Sequence, residues 1–262
     1  MTATPPLNAI TIKQKFFDFT KGEDYLTIKL AANGARIEGK TIKNVSYETL
    51  AKSIKNETSL DTKYLPLMGS DYIGIRRYLV SKGKHYVFVE ATPSIREIGY
   101  AGSSDTEPVL MKVPFPGILF VMTLKENSEG DLQLDSNECR LFALDGPMFN
   151  DSAVLYKYPF TNVYNDYRIC WGHTLDNINV KNMNILQAAG LLHLFLTSIN
   201  NEDLWSSSNY KLDNKPSSCK VLFQELEKDR TFNSKAMTKA MTAAGLISLI
   251  TQNDDNTTDG GL

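Results

Sequence analysis

Three apolar runs in close succession, then a long aperiodic stretch, then a strongly amphipathic one, constrain this chain most. FPGILFVMTLKEN (115–127), ECRLFALDG (138–146) and AVLYKYPF (153–160) read as strands. Their short connections predict an antiparallel meander. Residues 161–182 have no period but are dense in polar, aromatic and Asn residues. That composition predicts a structured loop, the kind of segment on which a rigid sheet carries a site. NMNILQAAGLLHLFLTSIN (182–200) then sets Ile185, Ala189, Leu192, Leu196 and Ile199 at helical spacing. Asn182 is its expected cap, and Leu191, Leu194 and Phe195 widen the apolar face.

The flanking segments read as follows. ITIKQKFFDF (10–19) and DYLTIKL (24–30) are strand-like and separated by TKGE, and ARIE lies between Gly34 and Gly39. Ser46 is placed to cap a helix over 46–56 that sets Leu50, Ala51 and Ile54 on one face. RRYLVSKGKHYVFVEATP (76–93) predicts a hairpin around SKGK, with His85 exposed after the turn. Toward the other end, Ser217 or Ser218 is placed to cap CKVLFQELEKD, and 234–250 predicts a last amphipathic helix. The expected class is α+β. The expected organisation is a β-rich N-terminal region (1–105), a core (106–205), C-terminal helices (206–252) and a flexible tail (253–262) ending in DGGL. A diglycine there also suits a conjugation signal, against the plainer reading of a loose Gly-rich end.

Composition excludes more than it names. At 262 residues with 42% hydrophobic side chains, the chain can bury a core without disulfide or metal staples. Lys+Arg 28 against Asp+Glu 30 gives no bulk attraction to nucleic acid or anionic membrane. Three cysteines, Cys139, Cys170 and Cys219, with no CxxC pair, make neither a disulfide framework nor a zinc site. The N-terminus lacks the pattern of a signal peptide, and no apolar run is long enough to span a bilayer. The expected location is the cytoplasm.

The chemistry concentrates in YPFTNVYNDYRICWGH (158–173). Cys170 is a candidate nucleophile, since a thiolate attacks acyl groups readily and forms thioesters. Asn162, eight residues earlier, is a candidate amide donor to the oxyanion of acyl transfer. A cysteine between Ile169 and Trp171 also suits a small buried side chain, and Asn162 also suits a turn. Tyr164, Trp171 and His173 are possible accessory residues; His173 is three residues beyond Cys170, but no third group is evident to orient it as a base. His193, within the apolar helix, is expected in the core or at its boundary. No cofactor or metal is expected, and no GxxxxGK[ST] phosphate loop occurs.

TNVYNDYRIC (161–170) resembles the active-site segment of ubiquitin-conjugating enzymes, typically HPN-V-Y-x-x-G-x-I-C. It keeps the Asn, the Val-Tyr, the Ile-Cys and the spacing of eight, and the likeness covers about residues 110–205. More narrowly, VPFPGILFV (113–121), CRLFAL (139–144), PFTNVY (159–164) and ICWG (169–172) resemble the PRTRC system protein B family. That family is a prokaryotic family D branch of the ubiquitin-conjugating fold. The resemblance implies a ubiquitin-conjugating-like core. It also implies a thioester on Cys170, and as partners a ThiF-type activating enzyme, a ubiquitin-like protein and a JAB-type peptidase, in a plasmid or mobile-element setting. The other reading is a catalytically silent module of the same fold that binds a ubiquitin-like protein. Phe160 and Thr161 stand where the family motif has His-Pro, Tyr167 where it has Gly, and Gly172-His173 where it often has Leu-Asp.

Overall fold

A computed structural model describes residues 9–13, 25–31, 34–38, 43–45, 60–62, 73–103, 105, 107–147 and 150–252. The helix expected over 46–56 and the tail 253–262 lie outside the described residues. The chain divides into two compact units, Met1–Thr62 with Leu79–Gly83, and Lys63–Tyr78 with Lys84–Leu262.

In the first unit, β1 (Ala9–Lys13), β2 (Tyr25–Ala31), β3 (Gly34–Glu38) and β4 (Lys43–Val45) form an antiparallel sheet in chain order. β5 (Leu60–Asp61) pairs with Val80 and Leu79 of β6 (Ile73–Ser81). The turn after β6 is the one expected at SKGK: Lys82 and Gly83 both have positive φ, 48° and 76°. Two left-handed residues match the right-handed twist of hairpin strands.

The second unit is α+β. Its main sheet is antiparallel and centred on β10 (Gly117–Glu126), between β7 (Lys84–Ala91) and β12 (Arg140–Leu144). β13 (Val154–Tyr156) and β14 (Lys239–Thr242) continue it beyond β12, and β11 (Leu132–Leu134) pairs with the end of β10. The expected meander is therefore present. A second, two-stranded sheet joins β8 (Ser94–Tyr100) to β9 (Val109–Phe115).

The continuous apolar run of β10 has its reason in burial on both faces. Ile118, Phe120 and Met122 point into a core shared with Val87, Val89, Trp171, Leu192 and Phe195. Leu119 and Val121 point the other way and are equally buried. On that side the Tyr86 hydroxyl donates to the Ile250 carbonyl (3.0 Å), on α3 (Ala243–Gln252). α1 (Gln187–Leu196) supplies Ala188, Leu191, Leu192, Phe195 and Leu196 to the first core. α2 (Cys219–Asp229) packs on β9, with Ser218 as its cap accepting from the Val221 amide. The Glu227 carboxylate accepts from the Lys112 amide (2.8 Å), which occupies a donor on β9.

Several expectations are corrected. α1 begins at Gln187, not at Asn182, and ends before Ile199, which is exposed. Asn184 accepts from the Leu186 amide, and its own amide donates to the Gln187 side chain. This reciprocal pair caps the turn that leads into the helix, so the helix is entered at Asn184 and not at Asn182. The single helix expected over 234–250 is a 3-10 turn (Ser234–Ala236), β14 and α3. Pairing of 239–242 with β13 outweighs helical periodicity there. His85 is buried rather than exposed: Tyr78 hydrogen-bonds its Nδ1, and Glu126 lies 3.6 Å from its Nε2. Burial lowers the His85 pKa against the opposing pull of Glu126, which favours a neutral ring. His193 lies on the exposed side of α1, opposite the face that enters the core.

Candidate active site

The spacing of eight between Asn162 and Cys170 is the span of a tight hairpin. The Cys170 amide donates to the Asn162 carbonyl (2.8 Å), and the Tyr164 amide to the Arg168 carbonyl (2.9 Å). Val163 bridges Ile169 between them. The Tyr167 amide closes the turn by donating to the Tyr164 carbonyl (2.9 Å). Because side chains alternate across paired strands, Val163 and Ile169 enter the core while Asn162, Tyr164, Arg168 and Cys170 share the outer face. The second arm docks on the start of β12: the Ile169 amide donates to the Cys139 carbonyl and the Leu141 amide to the Tyr167 carbonyl. The loop is thus an extension of the sheet, and the sheet fixes where the thiol sits.

Two residues hold left-handed backbone in this hairpin, Asn162 (φ 65°) and Tyr167 (φ 72°). Asn tolerates that region; Tyr does not readily. Tyr167 stands where the motif has Gly, and its ring packs on Phe142 at 4.9 Å, a contact Gly lacks. Phe160, at the motif's His position, packs among Phe115, Tyr158 and Phe223. Thr161, at the Pro position, donates from its hydroxyl to the Asn200 side-chain oxygen (2.9 Å), with both residues buried. The hairpin entry is therefore locked by an aromatic cluster and a buried polar pair.

Cys170 is half-buried, whereas Cys139 and Cys219 are buried. It opens into a groove of about 810 Å³. One wall is Asn162, Tyr164 and Gly172-His173; the other is the end of α1 and the segment after it, including Ile199, Asn201 and Asp203. Asn162 ties the two walls, its side-chain amide donating to the Ile199 carbonyl (3.2 Å). Tyr164 lines the groove beside Cys170, and the neighbouring sulfur holds its phenol above the ordinary pKa.

The second wall is anchored from behind. Glu202 accepts from the Tyr100 hydroxyl (2.6 Å) and from the Cys219 and Lys220 amides, the first donors of α2. Partial burial alone would raise the Glu202 carboxyl, yet these donors outweigh it and the pKa is lowered. Asn200 pairs with Gly99 and Ala101 through its backbone. Asn201, Glu202 and Asp203 are the residues of this wall that sequence reasoning missed. Their signal was the polar-acidic block NNEDLW directly after the helix.

The remaining candidates separate. Trp171 is a core anchor: its ring meets Phe120 and Phe195 edge-on and its Nε1 donates to the Ser136 carbonyl (3.2 Å). His173 lines the groove fully exposed, with Nδ1 2.9 Å from Asp176. Among the described residues, no group of three or more His, Cys, Asp and Glu side chains is arranged to hold a metal. No helix there is long and apolar enough to cross a membrane.

Against known families, the model described as prokaryotic E2 family D matches residues 70–240, more than half of the chain. The searches of curated proteins and of solved structures returned no significant match.

Proposed function

The chain belongs to prokaryotic E2 family D, and from that membership we propose that it carries a ubiquitin-like protein as a thioester on Cys170. Membership supports a ubiquitin-conjugating-like role in general, with an activating enzyme or a ubiquitin-like protein as partner. Within that role, Cys170 attacks the thioester carbonyl of a ubiquitin-like protein held on a ThiF-type activating enzyme. A new C–S bond forms, the old one breaks, and the activating enzyme's thiol leaves. An amine then takes the acyl group. ATP is consumed by the activating enzyme. In this reading the chain is a PRTRC system protein B from a plasmid or mobile-element system, alongside a JAB-type peptidase. Asn162 holds the loop against the far wall of the groove.

One observation supports the reading most. Of the three thiols, Cys170 alone is not buried, and it opens into a groove between the sheet-borne hairpin and the end of α1. The test combines the protein with cognate activating enzyme, ubiquitin-like protein and ATP, followed by a non-reducing gel. A thiol-sensitive adduct is expected, converted to a thiol-resistant oxyester in Cys170→Ser. Activation of the small protein without any adduct on this chain rejects the reading in favour of a silent binding module.

A further inference from the structure

The sequence shows His173 three residues beyond Cys170 and no group to orient it as a base; the structure supplies one. His173 Nδ1 lies 2.9 Å from the Asp176 carboxylate. An ionised carboxylate only accepts, so Nδ1 carries the ring proton and the neutral imidazole keeps its lone pair on Nε2. An exposed pair of this kind adds little to stability. What it does fix is the tautomer. His173 lines the same groove as Cys170, and Asp176 does not. Three chain steps keep the Cα atoms of Cys170 and His173 within ~11 Å of each other. Between them Trp171 is fixed in the core, its Nε1 on the Ser136 carbonyl (3.2 Å). The chain then turns at once. Gly172 is left-handed at φ 49°, and the Thr174 amide donates to the Trp171 carbonyl (2.8 Å). The Asp176 amide donates to the His173 carbonyl (3.2 Å), which sets the carboxylate residue against the imidazole residue.

Given the carrier reading above, on which this rests, we propose that His173 is the general base of acyl transfer to an amine and that Asp176 is the residue that positions it. An amine attacking a carbonyl on the Cys170 sulfur stands in the groove that both side chains line. Its lone pair forms the C–N bond, the C=O π pair moves onto oxygen, and the nitrogen becomes cationic. His173 Nε2 takes a proton from that nitrogen, so the amine is no longer the easier group to expel. Collapse restores C=O and breaks C–S, and the sulfur leaves as thiolate. The imidazolium, its Nδ1–H held on Asp176, passes the proton to solvent water. The carboxylate keeps the ring in one tautomer and stabilises its charged form without taking the proton itself.

The test needs no partner protein. The His173 and Asp176 side chains are 99% and 61% exposed, so replacing them leaves the core intact. Cys170 is acetylated with p-nitrophenyl acetate, the site is checked by peptide mapping, and loss of the acetyl group to added lysine is followed by intact mass. In parallel, alkylation of the free thiol by iodoacetamide, which moves no amine proton, reports on the nucleophile itself. His173→Gln should slow aminolysis at least about tenfold, a floor for a base open to water, below the ~10²–10⁴-fold of general acid–base catalysis. It should change alkylation less than about threefold. Wild type should react more slowly in D2O than in H2O, and His173→Gln should lose that difference. Asp176→Asn should slow aminolysis less than His173→Gln does, and Asp176→Glu should restore most of the rate. Equal losses in aminolysis and alkylation, no loss in aminolysis, or an isotope effect that persists in His173→Gln overturns the base. Asp176→Asn at the wild-type rate overturns the positioning role. Failure of the charging assay with partner proteins bears on the carrier reading alone, because a small ester acylates Cys170 without them.

Discussion

Asn162 does two things that one substitution conflates. Its backbone is left-handed at φ 65°, and its amide bonds the Ile199 carbonyl. Asn162→Gly removes the amide and keeps the backbone at ease; Asn162→Ala removes the amide and adds strain of about 1–2 kcal/mol. Chemical denaturation should find Asn162→Ala the less stable variant by about 1 kcal/mol. Equal stabilities would show that the loop relaxes without cost. At this scale much was readable. A spacing of eight from Asn162 to Cys170 is the reach of a closed hairpin, and the structure pairs the two backbones directly. The direction of the Asn162 amide was not readable, because its acceptor lies 37 residues away on a segment placed by tertiary packing. His85 and His193 exchanged environments for the same reason: neighbours across the fold, not local pattern, decide which imidazole is covered.

Among the elements, the wall after α1 depends on Glu202, which joins it to β8 through Tyr100 and to the start of α2 through two amides. Its carboxyl is held below the ordinary range in the folded protein. The stabilisation is therefore complete above the unfolded-state value, near 4.3, and is lost as pH falls through the lower folded value. Glu202→Gln should cost about 1 kcal/mol or less at pH 7, since the site is largely exposed. The difference in Tm from wild type should shrink as pH falls below about 4. A constant difference across pH would mean that the charge is irrelevant and only shape matters. Elements with a dominant pattern were legible. The unbroken apolar run of β10 has its explanation in two covered faces, and Ser218 caps α2 as its sequence suggests. The segment 234–250 was not legible, because its spacing also suits a strand completing the edge beside β13. The late start of α1 traces to Asn184, whose side chain accepts from the Leu186 amide.

For the molecule as a whole, the fold sorts three chemically identical thiols. Cys139 and Cys219 lie in the core, and burial pushes the Cys139 thiol up to about 12 and raises that of Cys219 as well. Buried thiols of this kind are inert to polar reagents until the structure opens. Titration with an aromatic disulfide should find one fast thiol in the native protein, absent in Cys170→Ala, and two more only in denaturant. Three fast thiols in the native state would contradict this core. The family match spans residues 70–240 and so covers the sheet, the hairpin, the groove and the first helices together. The role proposed for this frame is to hold Cys170 as an acyl carrier. Its most direct measurement is intact mass and peptide mapping of the protein after incubation with cognate activating enzyme, ubiquitin-like protein and ATP. The expected result is one added copy of the small protein, less one water, on the Cys170 peptide, released by hydroxylamine and absent in Cys170→Ala. An unmodified Cys170 under conditions where the small protein is demonstrably activated, or an adduct that survives in Cys170→Ala, would contradict it.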